Sequence, residues 1–292
     1  SARLLEPLWD LMKLEVLAGR KVHTDDTPVP VLDPGRGRTK TGRMWVYVGD
    51  ASHRYTVFDY TPNRRRDGPV AFLGDYEGYL QADAFAGYDG IYATKKVVEV
   101  ACWAHARRKF ELCLETDQET AGAALAWIGR LYEVETAARG LGDEERRQVR
   151  GERSAPVLES FGSWLEKRRA EVLPKSPLGL AIRYVLRNWK ALNRYLEDGA
   201  LEIDNNTAER AVRCIAVGRK NWEFAGSDNG GRTAAVLFTM TQTCKDLGID
   251  PFAYLRDVFA RLSAHPASRR AELLPDRWKL ASTTASTFSS WP

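Results

Sequence analysis

The sequence predicts an α/β fold: a mixed sheet laid down early, a long all-helical block, and a closing set of helices. Three observations predict it. Period-two alternation rich in Val, Tyr, Trp and Phe falls between residues 22 and 102. Strand signals vanish from about 107 to 200, where apolar residues keep helical spacing. Helical spacing returns after residue 206 and persists to about 262.

The elements follow in order. Leu4, Leu5, Leu8, Leu11 and Leu14 give a helix over 3–18, stopped at Gly19. Val22 to Asp26 reads as a first strand whose paired part ends near Asp26, because Pro28 and Pro30 belong on an edge or bulge. A polar loop (33–42) carries Arg36, Arg38 and Lys40, with Arg43 just beyond. Met44–Gly49 and Arg54–Tyr60 alternate cleanly and read as an antiparallel hairpin around residues 50–53. Residues 64–68 form a turn, and 69–76 a short helix. Gly78 to Asp83 is a fourth strand ending on a carboxylate. A short helix lies near Tyr88, and Val97 to Cys102 is a fifth strand leading into a basic helix, Ala106 to Glu115. In the helical block, Leu125, Ile128, Leu131, Tyr132 and then Ile182, Val185, Leu186, Trp189, Leu192 and Leu196 keep the helical period. Pro174 and Pro177 break the run. Two helices over about 232–247 and 252–262 close the fold, and residues 281–292, rich in Ser and Thr, are expected to be poorly ordered.

Composition narrows the class. The chain has 292 residues, 44% hydrophobic and 28% charged, an ordinary globular balance. No apolar run approaches bilayer length and no signal-peptide pattern opens the sequence. Four scattered cysteines (Cys102, Cys113, Cys214, Cys244) without repeated CxxC spacing point to a reducing cytoplasm. The net charge of +4 is weak, but Lys and Arg cluster at 36–43, 64–66, 107–109 and 210–220. Ser1 already lies in the helical pattern, so the chain is expected to be the C-terminal part of something longer.

The most informative stretch is DNNTAERAVRCIAVGRKNWEFAGSDNGG, Asp204 to Gly231. Ala208, Ala211, Val212 and Ile215 form one apolar helical stripe, with Glu209 and Arg213 one turn apart at its edge. Glu209 has two readings. It closes a capping box with Asn206, or it reaches from a packed helix into a cleft. Asp25 and Asp83 terminate the first and fourth strands; if those strands are neighbours, both aspartates emerge at one sheet edge, where a helix can bring Glu209. Three such carboxylates repel one another unless hard cations, Mg2+ or Mn2+, lie between them. Two ions would suit the in-line displacement of a phosphodiester.

The blocks HTDDTPV, TGRMWVYV, LQADAFAGYDG, ACWAHARRKF, DNNTAERAVR, GRKNWEFAGSDNGG, PFAYLRDV and LLPDRW occur in one order. In them the chain resembles the transposases of the insertion sequence 66 family, within the DDE superfamily. The resemblance covers about 20–280. It implies a ribonuclease-H-like mixed sheet flanked by helices and interrupted by an all-helical insertion, with Asp25, Asp83 and Glu209 as catalytic and metal-binding residues for two ions. Under it the chain divides into an N-terminal helix (1–19), a first core part (20–106), the insertion (107–200), a last core part (201–264) and a tail (265–292). Asp26 stands where the family usually has Glu. The DNA-binding region that family members carry at the N-terminus falls outside this chain.

Implied partners are DNA, both element ends and target, further copies of the chain on that DNA, and accessory proteins of the element; no membrane is implied. Arg107, Arg108, Lys109, Arg213, Arg219, Lys220 and Trp222 are the candidate nucleic-acid contacts. Each has a plainer reading: a solvated helix end for the basic run, a core indole for Trp222. His23 shares a strand face with Asp25 and would support it by hydrogen bonding, or would simply pack as a neutral imidazole. Cys102 and His105 form a lone CxxH, a weak zinc half-site because no second pair follows. A similar C(2)H element recurs after the second Asp in other DDE transposases, which implies a place for both near the active site; the plainer reading is a buried core role. Trp127, Trp164 and Trp189 belong to the core of the helical block. The rival functions are a nuclease that cuts without joining, a remnant that only binds nucleic acid, and a glycosidase using two of the acids.

Overall fold

A computed structural model describes residues 2–33, 35, 37–84, 86–93 and 96–278. The expected poorly ordered end at 281–292 lies outside the described residues. The elements are α1 (Ala2–Ala18), β1 (Lys21–Asp33), β2 (Arg38–Val48), β3 (Thr56–Thr61), α2 (Asp67–Leu73), β4 (Gly78–Gln81), α3 (Asp89–Tyr92), β5 (Val97–Val100), α4 (Trp103–Glu111), α5 (Gln118–Ala137), α6 (Asp143–Val149), α7 (Ala155–Glu171), α8 (Pro177–Arg187), α9 (Trp189–Asn193), α10 (Asn206–Trp222), α11 (Asp228–Asp246) and α12 (Pro251–Arg261). The strands form one mixed five-stranded sheet in the order β3-β2-β1-β4-β5. The hairpin is antiparallel, with Val46 opposite Phe58, and β4 pairs parallel to β5, with Gln81 opposite Val100.

The chain divides into two compact units. One holds residues 1–22, 26–74 and 211–292; the other holds 23–25 and 75–210. In the first, α1 buries Leu5, Leu8, Met12 and Val16, while Leu4 and Leu14 of the leucine pattern stay exposed. The first strand does not end near Asp26, as expected from the prolines, but runs to Asp33. Backbone groups two residues apart point the same way along a strand. Pro28 and Pro30 therefore aim their nitrogens to the side where Leu32 N–H donates to the Ala225 carbonyl (2.8 Å) and the Pro30 carbonyl accepts from Ala225 N–H (2.8 Å). Val31 and Ala225 form an isolated parallel bridge there, in which the Pro30 carbonyl accepts and no proline donor takes part.

At the outer edge of the sheet β3 presents backbone groups with no strand partner, an arrangement that has to be covered. Two threonines of α11, one turn apart, cover it. Thr239 Oγ1 accepts from Phe58 N–H (2.8 Å), and Thr243 Oγ1 accepts from Thr56 N–H (3.0 Å) and donates to the Thr56 carbonyl. All four residues are buried.

The second unit is built around aromatic packing. Trp103 of α4 lies against Phe161 and Trp189, and Phe161 also contacts Trp127 and Trp164. Trp127, Trp164 and Trp189, expected in the core, are half-buried and pack against the apolar cluster that reaches from Val100 through α4 into α5, α7 and α8. Pro177 sits at the start of α8, where Ser176 caps Gly179 N–H. Arg150, wholly buried, makes a two-point ion pair with Glu135 and donates to the Tyr195 carbonyl, so its charge is fully matched. Among the described residues no helix is long and apolar enough to cross a membrane.

Replacing Thr239 and Thr243 by Val keeps side-chain shape but leaves two buried strand amides without acceptors. The double variant is expected to lose about 2 to 5 kcal/mol in urea unfolding, with at least 1 kcal/mol from each position. A loss below roughly 0.5 kcal/mol would show that the edge is satisfied some other way.

Candidate metal centre

The site is assembled where β5 gives way to α4 and where α10 begins, all within the second unit. Cys102 is the extended residue before α4, fully buried, with Trp103 N–H donating to the Ile203 carbonyl (3.0 Å). The helix thus starts three residues earlier than Ala106, and it projects His105 and then Arg108 from successive turns. Facing it, the segment 202–206 is fastened to the sheet by Gln81. This buried amide, the last residue of β4, donates to the Asp204 carbonyl (3.0 Å) and accepts from Glu202 N–H (3.3 Å).

Each residue of the Asp-Asn-Asn turn has a distinct job. Asp204 accepts from Asn206 N–H (3.1 Å), from Asn206 Nδ2 (2.7 Å) and from the Tyr132 hydroxyl (3.3 Å). Burial pushes its carboxyl above the usual range, and the bonds from Asn206 and Tyr132 pull the other way. Asn205, with no exposed surface, donates through its backbone N–H to Cys102 Sγ (3.2 Å) and through Nδ2 to the Thr24 carbonyl (2.8 Å). Its Oδ1 meets His23 Nδ1 at 3.2 Å, and its carbonyl accepts from Glu209 N–H (3.1 Å).

Against that frame Cys102, His105 and Glu209 converge: one donor atom from each lies within 4.8 Å of the others. His105 Nδ1 and Glu209 Oε1 are 3.5 Å apart; both atoms are buried and neither makes a hydrogen bond. Glu209 Oε2 is 3.8 Å from Arg108. Burial pushes the Cys102 thiol up to about 12, and Asp204 and Glu209 add to the shift.

Glu209 lies in the first turn of α10, and Ala208, Ala211, Val212 and Ile215 are the buried stripe that the spacing predicted. The capping-box reading fails, because the Asn206 side chain is bonded to Asp204 and the Glu209 carboxylate turns toward His105 and Arg108. Asp25 lies inside β1 rather than at its end, and Asp83 stands two residues beyond β4, so the expectation that both terminate strands is corrected. β1 and β4 are nevertheless sheet neighbours. Asp83 and Cys102 both lie close enough to Tyr184 to push its phenol further up, after burial. Asp26 is taken by guanidinium groups, a two-point bond from Arg64 (2.9 and 2.7 Å) and one from Arg43 (2.9 Å). His23 is buried against Asn205, with Glu202 3.7 Å away.

The cations are divided. Arg107 is exposed and paired with Glu111 (3.0 Å), and Lys109 sits 4.4 Å over the Tyr184 ring. Arg213 and Lys220 are exposed. Arg219 is committed to β1, donating to Thr27 Oγ1 (3.0 Å) and the Pro28 carbonyl (2.7 Å), and Trp222 is half-buried at the end of α10. Reasoning from sequence missed Gln81, Asn205 and Tyr132. The amide-rich turn was visible, but its partners lie 72 or more positions away.

The fold is a mixed α/β sheet with helical additions, and the cluster joins a thiol, an imidazole and a carboxylate. Residues 1–233 match the Transposase IS66 family and residues 239–275 the IS66 C-terminal element, so the chain belongs to the IS66 family of transposases. It is similar to three uncharacterized proteins of Sinorhizobium fredii (strain NBRC 101917 / NGR234). They are y4hP (38% identical, covering 95% of this chain and 54% of that protein), y4qI (34%, 94% and 54%) and y4jD (32%, 94% and 57%). The chain therefore spans about half the length of these relatives.

Asn205→Ala removes the side-chain bonds to the Thr24 carbonyl and to His23. It is expected to cost about 2 to 4 kcal/mol in chemical denaturation, the sum of two buried side-chain bonds. A cost within roughly 0.5 kcal/mol of zero would mean that the turn is held without this side chain.

Proposed function

We propose that this chain is the catalytic region of a DNA transposase with a ribonuclease-H-like core. In this reading Asp25, Asp83 and Glu209 hold two Mg2+ or Mn2+ ions. The observation that carries it is the adjacency of β1 and β4, which bear Asp25 and lead to Asp83, with Glu209 on the first turn of α10 in the same compact unit. Carboxylate oxygens suit hard divalent ions. When bound, such ions neutralise the phosphodiester and polarise its oxygens.

The reaction is hydrolysis of a phosphodiester at the element end, followed by attack of the freed 3′-hydroxyl on a phosphodiester of target DNA, with a 3′-oxygen as leaving group each time. The chain's own part is positioning. Arg107, Arg108 and Lys109 on α4, with Arg213 and Lys220 on α10, are exposed cations suited to backbone phosphates. Arg219 serves the fold through β1. The same reading places the protein in the cytoplasm and has further copies, and accessory proteins, meet it on DNA.

Asp83→Asn and Glu209→Gln should each lower Mn2+-dependent cleavage and strand transfer roughly 100-fold or more. Melting temperature should hold in the Glu209 variant, because the Glu209–Arg108 pair is partly exposed and worth less than about 1 kcal/mol. Wild-type rates in the Asp83 variant would refute the reading; cleavage without joined product in the unsubstituted chain would make it a nuclease.

Joint replacement of Arg107, Arg108 and Lys109 by Ala should weaken DNA binding and flatten its logarithmic salt dependence by about 0.9 for each phosphate that is no longer neutralised. An unchanged slope would assign the run to a solvated helix end.

A further inference from the structure

We propose that Cys102, His105 and Glu209 form a second metal site, distinct from one built on Asp25 and Asp83, that takes a borderline-soft divalent cation of the Zn2+ type. Donor chemistry comes first. Mg2+ and Mn2+ favour all-oxygen sites, whereas one sulfur, one imidazole nitrogen and one carboxylate oxygen are a ligand set for Zn2+. Geometry agrees. In a tetrahedron with metal bonds near 2.1 Å, ligand atoms stand about 3.4 Å apart, and His105 Nδ1 and Glu209 Oε1 are 3.5 Å apart. The Cys102 sulfur closes the group within 4.8 Å.

The unmet atoms point the same way. His105 Nδ1 and Glu209 Oε1 are both shielded from solvent and make no hydrogen bond, a costly arrangement that a cation between them relieves. Around the sulfur, the Asn205 amide donates at 3.2 Å, and such N–H···S bonds favour a metal-bound thiolate. Charge balances as well: a thiolate and a carboxylate neutralise a divalent ion, so Arg108 at 3.8 Å from Glu209 Oε2 meets no net positive charge. Three protein ligands leave a fourth position open.

CxxH alone is half a site by its spacing. The third ligand arrives from Glu209, beyond the whole helical block, brought up by the Asn205 clamp. The proposal goes beyond the catalytic reading and shares Glu209 with it; Cys102 and His105 are its own ligands, and it needs neither Asp25 nor Asp83.

The test uses the full chain, stripped with chelator and titrated with Co2+ or Zn2+ in excess Mg2+. The expected result is one tightly bound equivalent, with a near-ultraviolet sulfur-to-cobalt charge-transfer band. The band should vanish in Cys102→Ser, whose hydroxyl still accepts from Asn205, and persist in the Asp25→Asn, Asp83→Asn double variant. His105→Ala and Glu209→Gln should each weaken Zn2+ binding at least ten-fold; far-ultraviolet circular dichroism and thermal unfolding confirm that each variant folds. No band in the unsubstituted chain, or a band that survives Cys102→Ser, overturns the proposal. Zn2+ binding unchanged in both His105→Ala and Glu209→Gln overturns it as well.

Discussion

The second unit depends on the way Asn205 is held. Its backbone and side chain reach a β1 carbonyl, a buried histidine, the sulfur before α4 and the amide of Glu209. A buried primary amide has few alternatives once its groups are matched, since each unmatched one costs about 1 to 3 kcal/mol. The direction in which α10 leaves the turn is therefore set where the chemistry sits. Gln81 repeats the logic one strand away, gripping the same turn by its backbone. Two amides, neither charged, decide where a carboxylate arrives.

Much of this fold was legible because periodicity is local. The hairpin, the strand-free stretch and the buried face of α10 all follow from spacing within a few residues. β1 was misjudged because a proline penalty depends on what lies across the strand. Here the prolines face the side where the Ala225 bridge forms, and that bridge joins positions far apart in sequence. The threonines of α11 were equally silent. In sequence they are helical residues of ordinary propensity; in space they complete an edge strand.

The candidate site was legible in part for a related reason. Asp25, Asp83 and Glu209 stood out because the motif blocks carried them, but the company that Glu209 keeps did not. A two-ligand CxxH is weak by spacing, and a Glu three residues after an Asn invites a capping box. What overturns the capping box is one conformational fact: Asn206 turns back to Asp204, and Glu209 faces His105. The adjacent acids of β1 show a comparable division. Alternate strand residues face opposite ways, so Asp26 can be neutralised by Arg43 and Arg64 while Asp25 shares the face of His23.

Glu209 thus stands between two demands, and its two oxygens answer them differently. Oε1 is buried beside His105; Oε2 lies on the side of Arg108, a residue more than half exposed. At 3.8 Å that guanidinium is beyond hydrogen-bond range, so the pair is held by a screened attraction of less than about 1 kcal/mol. A phosphate offers the guanidinium a two-point, charge-assisted partner, which is the stronger choice. In the proposed reaction, DNA that engages Arg108 would draw a cation away from Oε2 as it brings the scissile phosphate near. Glu209 would then be relieved of a competing charge on the oxygen that faces away from His105.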